Sequence, residues 1–123
     1  LLQSRLAGAT LKLVSKADFD ARGGWGLVTD VCDDLRRSGR RPYGFPSGGS
    51  SALGTFGYVE AVAEIETQLD DPVDRIYFAC GSGGTAAGLA LGLHFADLDA
   101  ELVGLCVDDD PDFFFDKIDA IYA

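Results

Sequence analysis

Methionine is missing from this chain altogether, so, unless it was processed, the sequence is not expected to open on its own initiator. Leu1 to Leu6 start in helical rhythm and Ile118 to Ala123 end in one without a capping residue, so both edges are expected to lie inside a longer protein. Histidine is nearly absent: His94 has no second imidazole with which to hold a metal or relay a proton, and it reads as a helix-surface residue. Cysteine is sparse. Cys32, Cys80 and Cys106 are an odd set with no C-x-x-C pair, which argues against a disulfide framework or a zinc site and predicts buried thiols in a reducing, cytoplasmic compartment. Positive charge is short as well, with 10 Lys and Arg against 20 Asp and Glu and a net charge of −10. Binding to nucleic acid or an anionic membrane surface needs clustered cations, so neither is expected as a partner. The only basic cluster, Arg36-Arg37-Ser38-Gly39-Arg40-Arg41, reads as a helix C-terminus with Gly39 as the stop.

What the chain does have is apolar residues, 47% of 123, enough for a core within a single partial domain spanning 1–123. Short apolar runs alternate with helical ones. Residues 10–14, 41–45, 75–80 and 101–107 read as strands, and roughly 21–38, 55–69, 85–96 and 111–122 as helices. That alternation predicts an α/β fold: a parallel sheet with helices on both faces. Tyr58, Val62, Ile65 and Leu69 form one apolar stripe at helical spacing. From Ile76 to Ala96 there is no formal charge, but five glycines and a Ser/Thr-bearing turn make strand, turn and buried helix a cheaper account than a membrane span. Gly88 and Gly92 leave one helix face smooth, suited to close approach by a sheet or another helix.

The turn within that run carries the functional signal. Gly81, Ser82, Gly83, Gly84 and Thr85 join a strand to a helix, where glycines able to take positive φ let successive N–H groups converge on one anion. Thr85 stands where an N-cap is expected, adding a hydroxyl to the helix's positive end. Two cofactor classes use such a turn. Gly81-x-Gly83-x-x-Ala86 fits a loose dinucleotide fingerprint, with Asp108 about 20 residues on as a ribose ligand, whereas Gly83-Gly84-Thr85 suits a single terminal phosphate. The acidic run Asp108 to Asp112 lacks the alternating ligands of a calcium loop. Asp110 before Pro111 reads as an N-cap followed by proline at the first helical position.

A second segment separates the cofactor classes. Pro46-Ser47-Gly48-Gly49-Ser50-Ser51-Ala52-Leu53-Gly54-Thr55-Phe56-Gly57-Tyr58-Val59-Glu60, followed by Gly81-Ser82-Gly83-Gly84-Thr85-Ala86-Ala87-Gly88-Leu89-Ala90, resembles the D-cysteine desulfhydrase and 1-aminocyclopropane-1-carboxylate deaminase family in motif, order and separation. The resemblance runs from about residue 1 to about residue 107. It implies a tryptophan-synthase-β-like fold and pyridoxal 5′-phosphate as cofactor. It also implies a small amino-acid substrate, β-elimination of D-cysteine to pyruvate, sulfide and ammonia, and a homodimeric parent enzyme. It assigns Ser82, Gly83, Gly84 and Thr85 to the cofactor phosphate, with Gly81 permitting the turn, and puts Gly48, Gly49, Ser50 and Ser51 on the substrate side. Two positions depart from the family pattern: Ser51 replaces an asparagine, and Ala86 replaces a histidine. Lys12, Lys16 and Lys117 do not resemble the family's covalent lysine, which lies upstream of the matching region, so the chain is expected to be the middle of an enzyme two to three times its length and to hold no catalytic residue itself.

Overall fold

The structure is a computed structural model that describes residues 1–107 and 109–123; Asp108, the candidate ribose ligand, lies outside the described residues. The chain divides into two compact units, Leu1–Gly44 and Phe45–Ala123.

The first unit is helical. A short helix α1 (Leu2–Leu6) precedes α2 (Lys16–Arg37), which bends at Gly23, where φ is 66°. Ser15 caps α2 by accepting from the Asp18 N–H at 3.1 Å, so the helix begins five residues before its expected start at 21. It ends as expected: Arg36 and Arg37 occupy the last turn, Ser38 is the C-cap, and the Gly39 N–H bonds the Arg36 carbonyl. Cys32 is buried in this unit. A Cβ on Gly44 would sit 2.9 Å from its Sγ and 3.1 Å from Val28.

The second unit holds the sheet. Strands β1 (Arg75–Cys80) and β2 (Glu101–Cys106) pair in parallel, from Arg75 opposite Glu101 to Cys80 opposite Cys106. Helix α4 (Gly84–Ala96) connects them, α3 (Ala52–Gln68) precedes them, and α5 (Pro111–Tyr122) follows. Alternation along β1 turns Ile76, Phe78 and Cys80 toward the helices and leaves Tyr77 62% exposed. Val62 of α3 packs with Leu89 and Leu93 of α4 over Ile76, Phe78 and Leu102. Phe114 and Ile118 of α5 pack with Ala86 and Cys80. The fold is α/β, as expected.

Two expected strands, 10–14 and 41–45, join no ladder among the described residues. Alternating polarity is a local signal, but a strand needs a partner backbone, and sequence periodicity carries no information about that. Of the expected stripe only Val62 is fully buried; Tyr58 is 41% exposed, and Leu69, the C-cap just past α3, is 52% exposed. Cys80 is buried as expected, but Cys106 is exposed, since it ends β2 outside both apolar clusters. Asp110 does cap α5, accepting from the Phe113 N–H at 2.9 Å, with Pro111 at the first helical position. No helix among the described residues is long and apolar enough to cross a membrane.

Candidate functional site: two glycine-serine loops at paired helix N-termini

Helices α3 and α4 run side by side in the same direction. A Cβ on Gly88 would lie 2.5 Å from both the Thr55 carbonyl oxygen and the Tyr58 Cβ, and one on Gly92, a turn further, would lie 2.7 Å from Val62. The smooth face expected at Gly88 and Gly92 is therefore what lets α3 approach. Because the contacts advance together along both helices, their N-termini come to the same end of the unit, beyond the carboxyl end of β1. Two positive dipole ends there favour an anion.

The two starts differ in how their N–H groups are satisfied. Ser51 caps α3, its Oγ accepting from the Gly54 N–H at 3.2 Å. Serine and asparagine are both strong N-caps, so the family's asparagine and this chain's Ser51 can serve the same purpose at this position. Helix α4 has no side-chain cap and no acidic residue in its first turn. Its first intrahelical bond runs from the Ala87 N–H to the Gly83 carbonyl at 2.9 Å, which leaves the N–H groups of Gly84, Thr85 and Ala86 ahead of it. The N-cap is Gly83, not Thr85: Gly83 takes φ 82°, a left-handed conformation that costs glycine little, and the helix begins one residue earlier than expected. Among the three turn glycines positive φ is confined to Gly83. Thr85 is the second helical residue, half-buried beside the buried Gly83 and Gly84.

The structure brings the two candidate segments together. The Ser50 and Ser82 hydroxyls are hydrogen-bonded at 2.6 Å across 32 residues of sequence. A Cβ on Gly84 would lie 2.6 Å from Ser50 Oγ and 3.1 Å from its Cα, so only glycine fits between the turn and that loop. A neighbour not visible in the sequence is α5: the Lys117 stem and Ile118 flank Gly83, and the Lys117 ammonium sits 5.2 Å from the centre of the Phe113 ring. That contact is non-local and has no motif to announce it. Near the same helix pair the Tyr122 hydroxyl donates to the Ala87 carbonyl at 2.6 Å, and burial, then the Asp119 carboxylate, raise its pKa above the ordinary value.

A cavity of about 350 Å³ opens at the opposite end of the strands, between Leu69, Ile76, Leu93 and Leu98. Glu66, Asp70, Asp71 and Asp99 also line it, and their carboxylates would repel a phosphate. For an anionic ligand, therefore, the Gly81–Thr85 turn is the better candidate.

Comparison with known proteins identifies the family. Residues 1–118 match the family described as pyridoxal-phosphate dependent enzymes. The chain is 43% identical to the bifunctional D-cysteine desulfhydrase/1-aminocyclopropane-1-carboxylate deaminase, mitochondrial, of Arabidopsis thaliana, over 98% of this chain and 31% of that protein. It is 48% identical to a D-cysteine desulfhydrase of Klebsiella pneumoniae, over 65% of this chain and 25% of that one. A crystal structure of an ACC deaminase homologue superposes with a TM-score of 0.80 at 35% identity, over 98% of this chain and 36% of that chain. The chain thus spans about a quarter to a third of the length of the relatives it matches. The dinucleotide alternative falls with these matches: the chain belongs to the pyridoxal-phosphate dependent enzyme family.

Proposed function

We propose that residues 1–123 form the partial domain that holds the cofactor phosphate in a D-cysteine desulfhydrase-like lyase. The observation that carries this is the uncapped, buried start of α4 at Gly83 and Gly84, set beside the N-terminus of α3. The residues fit a phosphate: N–H groups ahead of the first intrahelical bond, a left-handed Gly83, no acidic side chain in the first turn, and no room for a Cβ at Gly84. In this reading Ser82, Gly83, Gly84 and Thr85 hold the phosphate through their N–H groups, the Thr85 hydroxyl adds a donor, and Gly81 permits the turn. Gly48, Gly49, Ser50 and Ser51 form the adjoining loop, which the family resemblance assigns to the substrate side.

Pyridoxal phosphate, when bound, supplies an electron sink that lets a leaving group depart from the substrate's Cβ, here sulfide from D-cysteine. This chain's contribution is to anchor and orient. None of Lys12, Lys16 and Lys117 is proposed as the covalent anchor: none resembles the family's covalent lysine, and Lys117 meets Gly83 with its stem and the Phe113 ring with its ammonium. Similarity to proteins named 1-aminocyclopropane-1-carboxylate deaminase supports a second reading, in which that amino acid is the substrate, and a cysteate sulfo-lyase would use the same phosphate site. A homodimeric parent in a reducing compartment completes the proposal.

The test is to titrate the parent enzyme with pyridoxal phosphate and with pyridoxal, and to assay sulfide release from D-cysteine alongside ammonia release from 1-aminocyclopropane-1-carboxylate. Tight binding of the phosphorylated form alone is expected, with sulfide release the faster reaction. Equal affinity for both forms would sink the phosphate assignment. The 123-residue chain, mixed with cofactor and reduced with borohydride, should turn over no D-cysteine and show no stoichiometric labelling at Lys12, Lys16 or Lys117.

A further inference from the structure

We propose that Ser50 is a positioning residue of the phosphate site, acting through Ser82, so that the Gly48–Ser51 loop serves the cofactor and not the substrate. This rests on the phosphate reading of the Gly81–Thr85 turn and deepens it.

The geometry is reciprocal. Each loop presents a glycine to the other loop's serine: a Cβ on Gly84 would strike Ser50 Oγ, and a Cβ on Gly48 would strike Ser82 Oγ, with Ser82 Cβ only 3.0 Å away. Gly48 has φ 67°, so a side chain there would be strained as well as obstructed. Between the glycines the two hydroxyls share a bond of 2.6 Å in a partly buried setting. Ser50 itself is fixed from behind, because Ser51, the next residue, is the N-cap of α3. The serine pair is therefore tied to the start of α3 on one side and joins the turn that starts α4 on the other.

A hydroxyl has one proton to give and two lone pairs to receive. In a pair of hydroxyls one proton is used between the two oxygens, and the accepting oxygen keeps its own for a further acceptor. At this position the nearest anion expected is the cofactor phosphate. Ser50 thus does two things for the site: it holds the Ser82 backbone where its N–H belongs to the turn, and it leaves the pair with one O–H to donate outward.

The test uses the parent holoenzyme and the variants S50A, S50T, S82A and S50A/S82A, with G84V as the control for the phosphate reading. The readouts are pyridoxal phosphate affinity by absorbance titration, the ³¹P chemical shift of the bound cofactor, and KM for D-cysteine at saturating cofactor. S50A should weaken cofactor affinity roughly 3- to 10-fold, the loss of one hydrogen bond, and move the ³¹P signal. S50T keeps the hydroxyl and should restore both. The double variant should be little worse than S82A, because Ser50 acts through Ser82. If S50A raises KM while cofactor affinity and the ³¹P signal stay put, and G84V still abolishes binding, the inference is overturned and the phosphate reading stands. If neither S50A nor G84V affects cofactor affinity, the phosphate reading falls and this inference with it.

Discussion

The two units of this chain are built from different materials. Leu1–Gly44 has one buried apolar side chain, Cys32 at 7% exposure, and among the described residues it carries four ion pairs, Lys16–Asp20, Arg22–Asp30, Arg36–Asp33 and Arg37–Asp34, with the side chains of every pair open to solvent. Among its described residues Phe45–Ala123 carries one ion pair, Arg75–Glu101, and buries Val62, Cys80, Ala86, Ala87, Leu89, Leu93 and Phe114. Exposed pairs contribute about 0–1 kcal/mol each, whereas a fully buried aliphatic or aromatic side chain contributes about 1.5–3 kcal/mol. Cooperative stability should therefore reside in the second unit, which is also where the candidate site sits. A rigid core directly under a loop cluster is what a pre-organised anion site requires, since N–H groups fixed in advance need not be ordered when the phosphate arrives.

The largest effect that would expose this asymmetry is Phe114→Ala. Phe114 is 3% exposed, packs on Cys80 and Ala86, and stands edge-on to Phe113 with ring centres 5.4 Å apart. Its truncation should cost about 3–5 kcal/mol in urea unfolding. A loss below about 1 kcal/mol would mean that α5 is not part of the cooperative core.

How legible this was in the sequence follows the same division. In the second unit β1, α4, β2 and α5 fell within a residue of their expected bounds, because each is bracketed by a glycine turn, a cap or a charged end. Helix α3 started three residues earlier than expected at Ala52, since the glycines at 54 and 57 masked the Ser51 cap. In the first unit the Thr10-to-Val14 and Tyr43 regions alternated like strands, yet pairing is a property of a partner, not of a pentapeptide. The five turn residues were visible as a motif. The Ser50–Ser82 bond and the contact of Gly83 with Lys117 were not, because 32 and 34 residues separate the partners and only the parallel packing of α3 and α4 and the return of α5 bring them together.

The next test in size concerns the site. In the parent enzyme Thr85→Ala should weaken pyridoxal phosphate binding by about 1.5–3 kcal/mol, the value of a hydrogen bond to a charged group. Gly84→Val should do more, because its branched side chain would collide with Ser50 and push the turn open. Fluorescence titration of the cofactor checks both. Unchanged affinity in the pair would move the phosphate away from the second unit.

A smaller effect is expected at Tyr122. Its hydroxyl joins the last turn of α5 to the Ala87 carbonyl, and Tyr122→Phe should cost about 0.5–1 kcal/mol, since that carbonyl is also placed to accept within α4. Burial and the Asp119 carboxylate raise the folded-state pKa, so the proton is held more tightly folded than unfolded. The sign follows from linkage: this contribution is fully present below the unfolded-state value of about 10 and is lost as pH rises through the higher folded value. Unfolding midpoints of wild type and Tyr122→Phe should therefore converge above pH 10. Curves that stay parallel would remove Tyr122 from the alkaline transition.

The smallest effect should come from the charges of the first unit. Arg22 and Asp30 meet at 2.5 Å across the bend at Gly23, eight residues apart, so this pair spans two helical segments that the bend would otherwise leave to pivot. Arg37–Asp34 lies within a single turn and spans nothing. Both are about half exposed or more, and solvent screening limits either to less than about 1 kcal/mol. Arg37→Gln should be indistinguishable from wild type, and Arg22→Gln should lose a few tenths of a kcal/mol at low salt and nothing at 0.5 M salt, where the Debye length falls to about 4 Å. Neither should change pyridoxal phosphate affinity. A loss above about 2 kcal/mol in Arg22→Gln that persists in salt would show that the bend is held by this pair and not by Gly23's backbone. The first unit would then owe its shape to charge, and the contrast between the two units would rest on geometry as well as on buried area.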